Sequence, residues 1–165
     1  MKRSSGFTMP ELVIALVIGA ILTSIAFASF RNVQSRFAVR GAKQAYMTLH
    51  QRARSMAVER GETVLLVMYT NQDSAALLTR DGASWSWSDH THFENEFQVD
   101  VRTPLNQSYY MCMTPRGYSD YDCGSWGAMS SAFQATFADT FRVQFWQAAD
   151  SASVLVLPMG QLVGQ

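Results

Sequence analysis

Nineteen consecutive residues, Leu12 to Phe30, carry no charge, and a carboxylate, Glu11, stands directly before them. At 1.5 Å rise per residue the run makes a helix of roughly 29 Å, about one bilayer hydrocarbon core. A charged side chain deep in a bilayer costs roughly 2.5–3.5 kcal/mol on insertion scales, so Glu11 reads as functional. A short basic leader, Met1-Lys2-Arg3-Ser4-Ser5-Gly6, precedes the junction. An ordinary secretory signal fits poorly, because its apolar region is only ~7–15 residues and its small-residue cleavage site lies at the far end.

The helical period continues past Phe30 without a Pro or a turn cluster. Val33, Phe37, Ala42, Tyr46, Leu49, Ala53 and Met56 recur at steps of three to five, as one stripe of a helix. Arg31, Arg36, Arg40, Lys43, Gln51 and Arg54 make its wet side. The spacing predicts one helix from near Pro10 to Arg60, apolar all round in its first half and amphipathic in its second. Pro10 suits a first turn, where its missing N–H costs little, and Gly61 reads as a left-handed cap.

After Gly61 the period changes. Strands are expected at Thr63–Thr70, Ala75–Arg80, Ser84–Ser88, Phe97–Arg102, Tyr109–Met113, Phe141–Gln147 and Ser153–Pro158, with Asp81-Gly82 as a hairpin turn. Ala128–Thr140 reads as loop or short helix. One long helix followed by strands means an α+β fold, its amphipathic half packed on an antiparallel sheet. The chain of 165 residues has room for one membrane helix and one domain of about 100 residues.

The formal net charge of zero hides a segregation. From Arg31 to Arg60 seven bases face one acid, Glu59, whereas from Gly61 onward eleven acids face four bases. A basic stalk carries an acidic head. The plain reading is a solvated helix face; the sharper one is that stalk arginines meet acids or lipid phosphates in an assembly.

Gly6-Phe7-Thr8-Met9-Pro10-Glu11-Leu12 closely resembles the class III signal of type IV pilins and type II secretion pseudopilins. The resemblance implies that a prepilin peptidase cuts after Gly6 and N-methylates Phe7, the new N-terminus. Glu11 matches the acidic residue that, in the family, pairs with a neighbouring subunit's terminal ammonium as the filament grows. Two opposite charges that are each costly in lipid become tolerable as a pair. Leu49, Ala53, Arg54, Ala57, Arg60 and Val64, with Leu66 beyond, look like the helix end of the GspH/FimT branch. Met113-Thr114-Pro115-Arg116-Gly117 looks like its mid-domain strand and turn, and Phe141-Arg142-Val143 with Val154–Gly160 like its closing hairpin.

The resemblance thus implies a pilin-like fold and the role of a minor pilin or minor pseudopilin. The expected organisation is a leader (1–6), a transmembrane half-helix (7–30), an amphipathic half-helix (31–60) and a periplasmic β-rich head (61–165). Expected partners are other pilins or pseudopilins at a filament tip, the prepilin peptidase and an inner-membrane assembly platform. The expected site is the bacterial inner membrane, with a single span, and then the pilus or pseudopilus. Positive-inside counting disagrees, since Arg31, Arg36, Arg40 and Lys43 follow the run closely; the resemblance overrules it. The alternative is a DNA- or ligand-binding tip protein. DNA-binding members carry arginines after the C-terminal glycine, whereas Gly160 is followed here by Gln161-Leu162-Val163-Gly164-Gln165, and an acidic head repels phosphate.

Cys112 and Cys123 are the only cysteines. In an exported domain such a pair reads as one disulfide, and closing that short loop stabilises by ~3 kcal/mol in the chain-entropy model. Two free thiols in a cytosolic domain are the other reading. For catalysis the best candidate is Asp89-His90-Thr91-His92-Phe93-Glu94, where His90, His92 and Glu94 would share one strand face with ligand types that suit zinc. The segment is polar and follows a turn, so it reads as a surface loop and no metal is assigned. Trp85 and Trp87 read as sheet packing and His50 as a solvated stalk residue. No nucleophile elbow or phosphate loop occurs, so neither an enzyme nor a cofactor is expected.

Overall fold

The computed structural model describes residues 8–81, 84–120, 132–134 and 140–164. The chain divides into two compact units, Met1–Ser35 and Arg36–Gln165. One helix, α1, runs Met9–Arg60, and Gly61 ends it with φ +68°, as its type and place in the sequence predict.

In the first unit the apolar side chains point outward all round. Leu12, Ile14, Leu16, Val17, Ile21, Leu22 and Ile25 are each more than half exposed. Two of the three hydroxyls inside the run bond back to the helix, Thr23 Oγ1 to the Gly19 carbonyl at 2.7 Å and Ser24 Oγ to the Ala20 carbonyl at 2.8 Å. That satisfies both donors without water. Among the described residues α1 is the one helix long and apolar enough to cross a membrane.

In the second unit α1 buries Val39, Ala42, Tyr46, Leu49, Ala53 and Ala57. The expected stripe is therefore right from Ala42 to Ala53 but wrong in phase at its start. Val33 and Phe37 are exposed, at 48% and 69%. Phe37 lies five residues before Ala42, about 140° round the helix, whereas Val39 lies three before it.

Strands β1 (Val64–Tyr69), β2 (Ser74–Asp81), β3 (Ser84–His92), β5 (Ser108–Met113) and β6 (Ser119–Asp120) form one sheet in the order β3-β2-β1-β5-β6. A short β7 (Ala132–Gln134) joins β5 in parallel, an exception to the otherwise antiparallel pattern. The second sheet, β10-β9-β8-β4, comprises β4 (Asp100–Arg102), β8 (Phe141–Gln147), β9 (Asp150–Val156) and β10 (Leu162–Gly164). One core joins the α1 stripe to Leu66, Met68, Leu77, Tyr109, Met111, Val143, Phe145 and Val154. The opposite face of the first sheet carries a smaller cluster of Leu65, Val67, Leu78 and Cys112, so β1 reads as an unbroken apolar run.

Two expected elements differ. Phe97–Arg102 is not a single strand: Phe93–Phe97 forms a short helix, α2, and Gln98 follows in left-handed conformation, leaving only Asp100–Arg102 extended. Phe93 and Phe97, four apart, follow the helical period, and Phe93 is fully buried. A third strand, β10, follows the hairpin that Gly160 was expected to end. The Asp81-Gly82 turn lies partly outside the described residues, as does most of Ala128–Thr140.

Gly160 has φ +71°, and a Cβ built there would come within 2.7 Å of Ser119 Cβ and 3.0 Å of Met111 Sδ. Gly61 has nearly the same φ but nothing within 4 Å. Gly61→Ala should therefore cost only backbone strain, about 1 kcal/mol. Gly160→Ala should cost about 2–4 kcal/mol, because overpacking is added to strain. Denaturant unfolding of the full chain in detergent, following the head's tryptophan signal, checks the ranking; equal losses would refute it.

Candidate functional site

Gly6 and Phe7 lie outside the described residues, which begin at Thr8. Thr8 stands just before α1, and its carbonyl accepts the Leu12 N–H at 3.1 Å. Glu11 sits in the first turn and reaches back: its Oε2 lies 3.4 Å from both the backbone N–H and the hydroxyl of Thr8. This is half of a capping box, in which an acid three residues after a Thr satisfies a helix-start donor. The pattern Thr8-Met9-Pro10-Glu11 could have revealed it from the sequence. A carboxylate at a helix N-terminus also faces the positive end of the helix dipole. Glu11 thus serves its own helix, through contacts at the long end of the hydrogen-bond range.

Two of the stalk arginines meet acids of the head. Arg52 Nη1 lies 2.5 Å from Asp89 Oδ2, and Arg36 Nε lies 3.4 Å from Asp150 Oδ1. Both arginines are well exposed, so each pair contributes little stability and chiefly sets orientation.

His50 is not solvated. It is buried, and its Nε2 lies 2.7 Å from the Gly160 carbonyl. A carbonyl only accepts, so Nε2 carries the proton and donates. The helical register places His50 next to Leu49 on the buried side, which an arginine-rich context concealed. Burial, chiefly, and the nearby Arg54 guanidinium lower its pKa to about 4, against a smaller upward pull from the Gly160 carbonyl. Tyr46 and Tyr109 are fully buried with their hydroxyls in contact. Burial raises the pKa of both phenols, so both stay neutral.

The acid–histidine segment forms no loop up to His92. It belongs to β3, and a bulge between Leu77 and Leu78 interrupts its pairing with β2. Trp87 pairs with Leu78, Asp89 with Leu77 and His90 with Ala76. One extra residue, Ser88, therefore brings Trp87 and His90 onto one face and turns Ser88 and Asp89 toward α1, where Ser88 Oγ lies 3.8 Å from Met56 Sδ. The His90 and His92 rings touch edge to face, with centroids 3.9 Å apart, but Glu94 lies on α2 and shares no strand face with them. No group of three or more metal-ligating side chains occurs among the described residues. Trp85 packs against the smaller apolar cluster as expected, whereas Trp87 is 62% exposed.

Cys112 is fully buried on β5, opposite Asp120 of β6; Cys123 lies outside the described residues. The Pro115-Arg116-Gly117 turn closes the β5–β6 hairpin, with the Gly117 N–H on the Thr114 carbonyl at 2.9 Å. β10 carries no basic residue.

Residues 1–27 match the prokaryotic N-terminal methylation motif. In structure the chain is similar to the type IV minor pilin FimU of Pseudomonas aeruginosa: TM-score 0.55, 9% identity, over 77% of this chain and 87% of that one. A second crystal form of FimU gives 0.53 at 10% identity, over 76% and 91%. The minor pseudopilin EpsH of the Vibrio cholerae type 2 secretion system gives 0.48 at 11%, over 75% and 95%. No curated protein matches in sequence. The fold is the α+β arrangement of FimU, one long N-terminal helix with antiparallel sheets.

His50 generates a pH prediction. Its folded pKa, about 4, lies below the unfolded value near 6.5, so the unfolded chain binds the extra proton first. The contribution of this site is complete above about pH 6.5 and is lost as pH falls toward 4, by on the order of 3 kcal/mol. The stability difference between the parent and His50→Gln, measured by denaturant unfolding at each pH, isolates the effect from carboxylate titration. A difference that stays constant from pH 7 to 4 would contradict it.

Proposed function

We propose that this chain is a type IV pilin-like protein, a minor pilin or pseudopilin, and a structural and non-catalytic subunit that assembles or primes a filament. The observation that carries the reading is the methylation motif over residues 1–27 running directly into a single 52-residue helix with a β-rich head. In this reading a prepilin peptidase cuts after Gly6 on the cytoplasmic side and N-methylates Phe7. Leu12–Phe30 spans the inner membrane once, with the head in the periplasm. The assembly platform then passes the subunit into a pilus or type II secretion pseudopilus, where the apolar half of α1 packs among like helices.

Glu11 supplies the register. A new ammonium at Phe7 of a neighbouring subunit and the Glu11 carboxylate neutralise each other in a medium where each alone is costly. The 3.4 Å contacts of Glu11 to Thr8 support this role. They are weak enough to be exchanged for a charge-assisted bond, which is shorter and roughly twice as strong. A polar group that specifies register at some cost in stability has precedent in helical bundles.

Glu11→Ala should leave the protein in the membrane and abolish its incorporation into filaments, scored by immunoblot of sheared fractions. Normal incorporation would sink the pairing. Intact Met1 on filament-extracted protein, seen by mass spectrometry, would refute processing after Gly6. A clean deletion scored in parallel for surface pili, twitching, transformation and exoprotein release assigns the machine.

A Cys112–Cys123 disulfide completes the reading of an exported head. The full burial of Cys112 and the absence of a free cysteine among the described residues support it. Cys123→Ser should lower stability by about 3 kcal/mol. Thiol alkylation of the unreduced, denatured protein should label neither residue, and stoichiometric labelling would disprove the bond.

A further inference from the structure

On the face of the first sheet turned away from α1, Tyr69, Gln72, Trp87 and His90 line an open hollow of about 420 Å³. That is within the ~300–1,000 Å³ range of small-ligand sites. The walls are aromatic. The Tyr69 and Trp87 ring centroids lie 6.3 Å apart at 43°, and those of Trp87 and His90 lie 6.2 Å apart at 53°. The bulge at Ser88 builds this wall, since regular alternation would put Trp87 and Asp89, not Trp87 and His90, on one face.

An indole that is 62% exposed leaves much apolar surface in water. The polar groups around it are also unused. Among the described residues, the Tyr69 hydroxyl, the Gln72 amide, the Trp87 Nε1–H and the His90 ring nitrogens make no hydrogen bond. Ser74, in one register row with Tyr69 and His92, has a buried hydroxyl with no partner among those residues. Tilted rings that offer flat apolar faces, ringed by donors and acceptors, complement a ligand with both C–H faces and hydroxyls.

Charge narrows the class further. Among the described residues, no carboxylate and no Lys or Arg lines the hollow. Burial, and then the neighbouring His92, hold His90 below its ordinary pKa, so its ring is neutral at pH 7. An anion would find no cation among these four residues. A quaternary ammonium would find rings but could not use the amide, the indole N–H or the imidazole. We propose that this hollow is a carbohydrate-binding site for a neutral hexose unit of an oligosaccharide, which stacks on Trp87 and Tyr69 and hydrogen-bonds to Gln72 and His90. The site is independent of the filament reading, because it lies wholly within the head.

The test is a titration of the full chain, in a polyoxyethylene detergent that carries no sugar headgroup, with cellotetraose and with chitotetraose. Binding is followed by tryptophan fluorescence and calorimetry. Saturable binding of either sugar in the millimolar range is expected, and Trp87→Ala should weaken it about tenfold or more. Gln72→Ala should weaken it with no change in melting temperature, which separates a binding role from a folding role. Failure of both sugars to saturate would overturn the proposal. So would undiminished binding by Trp87→Ala, or saturation by tetramethylammonium with neither sugar bound.

Discussion

The head depends on one contact, the burial of a narrow stripe of α1, Val39 to Ala57, against the inner residues of two sheets. Neither sheet closes on itself, and each has an apolar face that needs a cover. The small residues Ala42, Ala53 and Ala57 let the helix approach closely, and Tyr46 and Leu49 fill the space between. At the centre the Tyr46 and Tyr109 hydroxyls satisfy each other, and the rings of Phe93 and Phe145 pack edge to face 5.3 Å apart. One turn beyond Tyr46, His50 bonds to the Gly160 carbonyl, fastening the turn between β9 and β10 to the helix. Unpaired polar atoms at these depths are costly, so each pairing also restricts how helix and sheets can be arranged.

That stripe explains which parts of the fold are legible from sequence alone. Long periodic signals are the strong ones. The helix, its glycine cap, and strands β1, β5 and β8 follow from spacing, because their burial repeats over many residues. The misreadings cluster where the tertiary environment adds or removes one residue of phase. Phe37 is apolar but falls outside the face that the sheets cover. Phe93 and Phe97 obey a helical period over too few residues to announce it. His50 sits among arginines, yet the helix turns it inward, and only the path of the chain around Gly160 supplies its partner.

The same reasoning applies to the sites. The methylation motif is legible because it is a pattern of local sequence, not of folded shape. Glu11 is legible as an anomalous charge, and its capping bond to Thr8 follows from a four-residue pattern. The β3 hollow is not legible, because it arises from a bulge. Period-two alternation pairs Trp85 with Trp87 as packing, and only the extra residue at Ser88 separates an inward Asp89 from an outward His90.

The bulge links stalk and head chemistry in one step. By turning Asp89 toward α1 it gives Arg52 a partner at 2.5 Å, and by the same shift it leaves Trp87 and His90 exposed together on the outer face. An ion pair this accessible is worth little as stability, so it adds only a small bias to the register that the β2–β3 ladder sets. Sheet edges slip most easily where neither face is strongly apolar, and β3 is such a strand, with no fully buried residue. Arg52 therefore favours, by a small margin, the register that creates the hollow, and the basic stalk has a structural contact within a single chain before any assembly contact is considered.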